Sequence, residues 1–264
     1  MRSSDPTDDV TARARAWRNA AHAAVCDVVE PWAYGTVVRA TRYPSYFDFN
    51  LVRVEEDPAM SVDELVDVAD RALDGLAHRR FDVDDAAVGD ALRPGFEAIG
   101  WKTIRLAWMR HEAPSPPGPR IAVAEVPYDA VHELRVAWHD GDFPGASAGD
   151  YHAQAREVAM SREVRVLAVH EGDRPIAFTQ LEQVGDGAEI TQVFVHPDHR
   201  GGGRGTAMTR AAIEAAGDVR DLWIVADDED RPKELYARLG FRTAWTSMEL
   251  TRWPTRAGSH RSEP

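Results

Sequence analysis

The stretch HPDHRGGGRGTAM, residues 196–208, places four glycines and two arginines directly ahead of a run of small, helix-forming side chains. Glycine permits tight turns and close approach of backbone to a ligand, and a helix N-terminus offers unpaired N–H groups with partial positive charge. Together these make an anion site, most often for phosphate. Taken alone the stretch reads equally well as a surface turn, so its neighbours decide. Upstream, EITQVFVHP reads as a strand; downstream, TAMTRAAIEAAG reads as a helix closed by Gly217, and LWIVA as a continuously apolar strand. A strand, helix and buried strand in succession form a βαβ crossover, so the two strands run parallel and the loop lies at a strand's carboxyl end. Ligands bind there in open α/β sheets.

Two nucleotide motifs fail on this loop. A Walker loop requires Gly-Lys-Ser/Thr where the sequence has Gly-Arg-Gly-Thr, and the G-x-G-x-x-G fingerprint meets Thr206 or Met208 at its third glycine. Arg/Gln-x-x-Gly-x-Gly/Ala is satisfied by Arg200, Gly203 and Gly205. A second stretch, ELYARLGF at 234–241, follows at the matching interval. Together they resemble the acetyl-coenzyme A loop and the later LYxxxGF helix of the GNAT superfamily of N-acetyltransferases, over roughly Arg120 to Arg252. The segment DEDRPKEL departs from the Asn and Ala that many members carry before the tyrosine, which removes a side-chain contact to coenzyme A but not the helix.

The resemblance implies a mixed α/β sheet flanked by helices and a function as an acetyl-CoA-dependent N-acetyltransferase acting by direct transfer on a primary amine of a small molecule or peptide. It implies that Arg200, Gly201, Gly202, Gly203, Arg204, Gly205 and Thr206 hold the pyrophosphate, and that exposed backbone of Val193, Phe194 and Val195 pairs with the pantetheine arm. Tyr236 is implied as the acid for the departing thiolate. Glu189 corresponds to the catalytic glutamate of histone-type members; a solvated strand-edge carboxylate, with a water chain as base, is the alternative. A non-catalytic acyl-CoA sensor would share the same loop, and a longer acyl group would use the same site.

The first half echoes the second. FEAIGWKT from Phe96 and YARLGFRT from Tyr236 each end a helix at glycine and enter a strand on an aromatic residue, with an offset of 140 at both Gly100/Gly240 and Thr103/Thr243. At the place of the glycine loop the first half has only DPAM, residues 57–60, and Phe96 stands where the second half has Tyr236. We therefore expect two GNAT-like domains: a degenerate one at 1–112, a proline-rich linker at 113–119 (within APSPPGPR), a catalytic one at 120–252, and a disordered tail at 253–264.

Within the first half, the expected elements are a helix over DDVTARARAWRNAAHAAVCDVV, strands GTVVRAT and FDFNLVRVEE, a helix opened by Ser61, a strand HRRFDVDD, a helix ending at Gly100 and the strand WKTIRLAWMRHE. The second half adds a strand RIAVAEVP, helical stretches near Tyr128–His139 and Gly149–Arg162, and strands VRVLAVHEG and PIAFTQLEQV. The segment WHDGDFPGASAGDY, 138–151, lies where similar proteins line the acceptor side; its Asp140, Asp142 and Asp150 either attract a cationic amine or form a solvated loop.

Composition sets outer limits. The chain has 264 residues, 44% hydrophobic, with a net charge of −13, which opposes nucleic-acid or anionic-membrane binding through a general basic surface. Cys26 is the single cysteine, so a disulfide or cysteine-rich zinc site has no material. His196 and His199 flank a turn without a third ligand nearby, and no metal is expected. MRSSDPTDDV lacks the apolar core of a signal peptide. The expectation is a cytoplasmic monomer or homodimer whose partners are acetyl-CoA and an amine.

Overall fold

The computed structural model describes residues 9–142 and 148–254. The first half comprises α1 (Val10–Val25), β1 (Val28–Trp32), β2 (Gly35–Arg39), β3 (Asn50–Val54), α2 (Val62–Ala72), β4 (Arg79–Val83), α3 (Ala86–Ala98) and β5 (Lys102–His111). The second comprises β6 (Ala124–Val126), α4 (His132–Asp142), α5 (Ala148–Ser161), β7 (Arg165–Glu171), β8 (Arg174–Val184), β9 (Gly187–Val195), α6 (Arg204–Ala216), β10 (Asp221–Asp227), α7 (Pro232–Arg238) and β11 (Phe241–Arg252). Local chemistry explains the boundaries. Ser61 and Glu64 form a reciprocal capping box at α2, satisfying two otherwise orphaned N–H groups. Gly100 and Gly240 follow α3 and α7 at φ +82° and +98°, where a Cβ would be strained.

Three expected elements differ. FDF, expected to open the strand FDFNLVRVEE, is a 3₁₀ turn at Phe47–Phe49, so β3 begins at Asn50. The first helix stops at Val25 rather than running to Val29, because Val28 and Val29 extend into β1, an edge strand that tolerates Pro31. The strand expected over RIAVAEVP forms only at Ala124–Val126, since Ile121 and Val123 instead pack towards Met208.

Among the described residues eleven strands join one sheet in the order β1-β2-β3-β4-β11-β5-β10-β9-β8-β7-β6. The order shows a reciprocal exchange. β11, the last strand of the second half, inserts beside β4 of the first, while β5 of the first half lies beside β10 of the second. The exchanged strands pair antiparallel with each other from Phe241↔His111 to Thr251↔Lys102, and a local pseudo-twofold relates β3-β4-β11 to β9-β10-β5. The strands on either side of residues 113–119 thus share one sheet.

The cores record the same exchange. Met248 and Leu250 of β11 pack with Leu65, Leu73, Phe81 and Phe96 under α2 and α3, whereas Met109 of β5 packs with Leu181, Ile190, Ile224 and Phe241 under α6 and α7. Each such side chain contributes about 1.5–3 kcal/mol by burial, so each half draws stability from the other's strand. On the opposite face α1 crosses the exchange, with Ala14 against Trp108, Trp223 and Trp245. The guanidinium of Arg18 lies 4.9 Å from the Trp245 ring and bonds Asp84 at 2.5 Å.

Candidate active site

β9 leads through a turn at Pro197–His199 into the glycine loop. Gly201, Gly202 and Gly203 adopt φ of +81°, +62° and +80°, three successive left-handed residues that explain why side chains are absent. A Cβ on Gly201 would meet open space, while one on Gly203 would lie 2.6 Å from Pro119 Cγ. Gly203 is therefore also held to glycine by its packing against Pro119. The N–H of Ala207 is the first in α6 to bond within the helix, to Gly203 O at 2.9 Å, so those of Arg204, Gly205 and Thr206 point into the loop's mouth unpaired by helix geometry. Arg204 Nη1 donates to His199 O at 3.0 Å and Arg200 Nε to Val195 O at 3.3 Å, which brace the loop.

The strand preceding the loop separates from its neighbour. Parallel pairing of β9 with β10 stops at Ile190↔Ile224, although β9 continues to Val195 and β10 to Asp227. Backbone groups of Val193, Phe194 and Val195 consequently border a gap. A bulge opens it: Gln192 has φ +51°, and the register against β8 shifts between Phe178 and Gln180. Arg135 of α4 braces the bulge, donating from Nη1 to Gln192 Oε1 at 2.7 Å with its guanidinium 3.8 Å from the Tyr128 ring centroid. The equivalent strands of the first half stay closed. β3 and β4 pair through Val54↔Val83, and Asp84 N extends the closure to Val54 O at 2.8 Å.

Tyr236 and Glu189 lie on opposite faces of the sheet, the first packed with Ile190 and Ile224 and the second against Trp17 of α1. Tyr236, on α7, is buried in the cluster holding Ile190, Ile224 and Ala226, with Phe241 edge-on at 6.3 Å. Burial raises its hydroxyl pKa, which keeps the proton in place at neutral pH. At the echoed position Phe96 packs edge-on to Trp101 at 4.8 Å, the same aromatic pair without a hydroxyl.

Glu189 instead lines a cleft of about 330 Å³ whose other walls come from both halves, including His22, Asp48, Arg80, Trp138, Arg162 and Glu249. Burial raises the Glu189 pKa; a hydrogen bond from Trp17 Nε1 to Oε2 at 2.7 Å and the nearby Arg162 guanidinium pull against it. A carboxylate so placed can accept a proton from a group brought into the cleft.

Part of the acceptor segment expected at 138–151 lies outside the described residues, as does most of the tail expected at 253–264. Of its acidic residues, Asp140 and Asp150 are exposed on α4 and α5. The sequence reading missed Trp17, Asp48, Arg80 and Glu249 as cleft residues. Trp17 and Glu189 are 172 positions apart, and no local pattern links them. Arg135 and Gln192 were missed likewise, because bulges usually advertise themselves by glycine and this one has none.

A family model described as an acetyltransferase (GNAT) domain matches residues 162–243, spanning Glu189, the glycine loop and Tyr236. That match lies within the second half of this chain and covers less than half of the whole. A mycothiol acetyltransferase from Nocardia farcinica (strain IFM 10152) is 32% identical over 130 residues, covering 47% of this chain and 40% of that protein. The match thus spans well under half of the relative's length. Among solved structures, a conserved protein of unknown function from Staphylococcus epidermidis ATCC 12228 is similar over 87% of this chain and 94% of its own, with TM-score 0.69 and 12% identity. A GCN5-related N-acetyltransferase from Sphaerobacter thermophilus follows at TM-score 0.51 and 14% identity, over 76% and 68% of the two chains. At these identities the structural likeness speaks for the GNAT fold alone. No helix among the described residues is long and apolar enough to cross a membrane.

Proposed function

We propose that this chain transfers an acetyl group from acetyl-CoA directly to an amine, using one site in the GNAT domain. The observation that carries the reading is the continuity of two features on β9: an opened backbone edge at Val193–Val195 and, immediately after it, three left-handed glycines ahead of α6. The loop accepts a pyrophosphate because its glycines leave the N–H groups of 201–206 unobstructed, and the open edge accepts an extended amide-bearing arm by strand-like hydrogen bonds. The bound thioester would supply an activated acetyl carbon. Glu189 removes a proton from the amine on one face of the sheet, either directly or through water. Tyr236 delivers a proton to sulfur on the other, and a backbone N–H beside the bulge donates to the carbonyl oxygen.

In this reading residues 1–112 form a degenerate partner, 113–119 the linker and 120–252 the catalytic unit. The closed β3–β4 pair and Phe96 support the loss of cofactor binding from the first half. The relative named for mycothiol acetyltransferase supports acetyl as the transferred group. Calorimetric titration of the full chain with acetyl-CoA tests the proposal: we expect one site per chain. Two equivalent sites, or no binding, would overturn it, and binding without release of free thiol in the presence of any amine would leave only a sensor.

A further inference from the structure

The cleft below Glu189 extends into a smaller aromatic chamber of about 130 Å³ that shares Asp48, Arg80, Trp138 and Glu249 with it and is walled further by Phe47, Tyr151 and Trp253. Along the cleft three guanidinium groups, Arg18, Arg80 and Arg162, face five carboxylates, Asp48, Asp82, Glu182, Glu189 and Glu249. Those arginines are heavily committed. Arg18 forks onto Asp84 at 2.5 and 3.3 Å, and Arg162 pairs with Glu182. Arg80 alone serves three acids, Asp48 at 2.6 Å, Asp82 at 2.9 Å and Glu249 at 3.2 Å. His22 adds no charge, since burial lowers its pKa to about 3.

A second, independent feature points to a missing donor. Gln180 lines the cleft at 7% exposure, donates from Nε2 to Thr191 Oγ1 at 3.4 Å, and leaves its Oε1 buried with no partner among the described residues. An unpaired acceptor in a cleft with surplus carboxylate fits a ligand rich in N–H⁺ groups. At the chamber end burial raises the pKa of Glu249, against the pull of Arg80 and with smaller contributions from Asp82 and Asp48.

We propose that the acceptor is a small dication: one nitrogen is acetylated beside Glu189, and a second, protonated nitrogen docks at Asp48 and Glu249 against the aromatic walls of the chamber. Carboxylates supply the charge attraction and the ring faces a cation–π surface that holds an organic cation better than a hydrated metal ion. This rests on acetyl transfer at the β9 gap. It goes further in making the first half, through Asp48 and Arg80, the specificity wall of the second half's site.

The test compares α,ω-diamines of about three to eight carbons with n-alkylamines and ω-amino acids of matched length, by thiol release from acetyl-CoA with the full chain. We expect the best diamine to exceed its monoamine by about tenfold or more in kcat/KM, the worth of one charge-assisted hydrogen bond, with the amino acid lowest. Asp48→Asn should bring the diamine-to-monoamine ratio close to one, chiefly through the diamine's KM, and Asp48→Glu should restore part of the preference. Equal rates for diamine and monoamine, a preference for the amino acid, an unchanged ratio in Asp48→Asn, or no diamine-dependent release or thermal stabilisation from protein that binds acetyl-CoA would each overturn the dication and leave acetyl transfer intact. Failure to bind acetyl-CoA at all would overturn the underlying reading instead.

Discussion

Replacing Trp17 by Phe removes one N–H from α1 and should move the pH at which the enzyme switches on. The indole donates to Glu189 Oε2 at 2.7 Å, a bond available in full only to the ionised carboxylate. It therefore lowers a pKa that burial has raised, and its loss lets that pKa climb further. A hydrogen bond to a charged group contributes about 1.5–3 kcal/mol; Glu189 is only half-buried, so the lower figure applies, equivalent to about one pH unit. A general base works deprotonated, so kcat/KM rises with pH through the Glu189 pKa. In Trp17→Phe that acid limb should lie about one unit higher, with rates about tenfold lower below the limb and unchanged on the alkaline plateau. The assay is thiol release from acetyl-CoA across the pH range, alongside Glu189→Gln, which should abolish the limb. An acid limb that stays put in a Trp17→Phe protein that still melts cooperatively would refute Glu189 as the base.

Tyr236→Phe keeps the buried ring and removes the proton donor; turnover should fall roughly 100-fold while acetyl-CoA affinity by calorimetry stays within about twofold. Gly201→Val should weaken acetyl-CoA by at least about tenfold, since it forces a β-branched residue into a left-handed backbone at about 1–2 kcal/mol and crowds the loop's mouth; its neighbours leave room, so unchanged affinity would remove the loop from the site. Gly203→Val, by contrast, should also lower the Tm, because its side chain strikes Pro119. Burial holds His22 neutral, with its pKa lowered to about 3, so its contribution is complete above pH 6.5 and lost as pH falls towards that value. Linkage puts the loss on the order of 2 kcal/mol by pH 5, and His22→Gln should flatten the fall in Tm between pH 7 and 5. Residues 1–112 or 113–264 expressed alone should lack a cooperative melt, and co-expression should recover one; a cooperative melt from either fragment would show that the exchanged strands are dispensable.

Punctuation was the legible part of this fold. Ser61 with Glu64, Gly100, Gly217 and Gly240 mark their helix ends because caps depend on neighbours a few residues away. The glycine loop was readable for the same reason, and its position after β9 followed from the crossover. The exchange of β5 and β11 was not. Lys102–His111 and Phe241–Arg252 are apolar enough to be interior strands anywhere, and their side-chain alternation fixes a face without naming a neighbour. The gap in the sheet, the bulge at Gln192 and the Trp17 bond to Glu189 depend on segments brought together only by the finished sheet. Asp48 and Glu249 carry no local signal either, since Arg80 and the chamber's rings gather around them only in the finished fold.

The position of β11 also dictates an order of events during synthesis. β4 emerges from the ribosome with its eventual neighbour some 170 residues away, Val83 waiting for Met248. β5 must likewise wait for β10, where Met109 meets Ile224. Until then the nascent first half exposes two unpaired strand edges and the apolar surface that Met248 and Leu250 will cover. Contacts of such separation close slowly, and bare edges invite pairing between neighbouring chains. The 12 residues of β11 thus fill the middle of the sheet last, in the manner of a keystone. A premature stop just before Phe241 would spare the glycine loop and Tyr236, and still yield a chain with a slot at its centre instead of a continuous sheet.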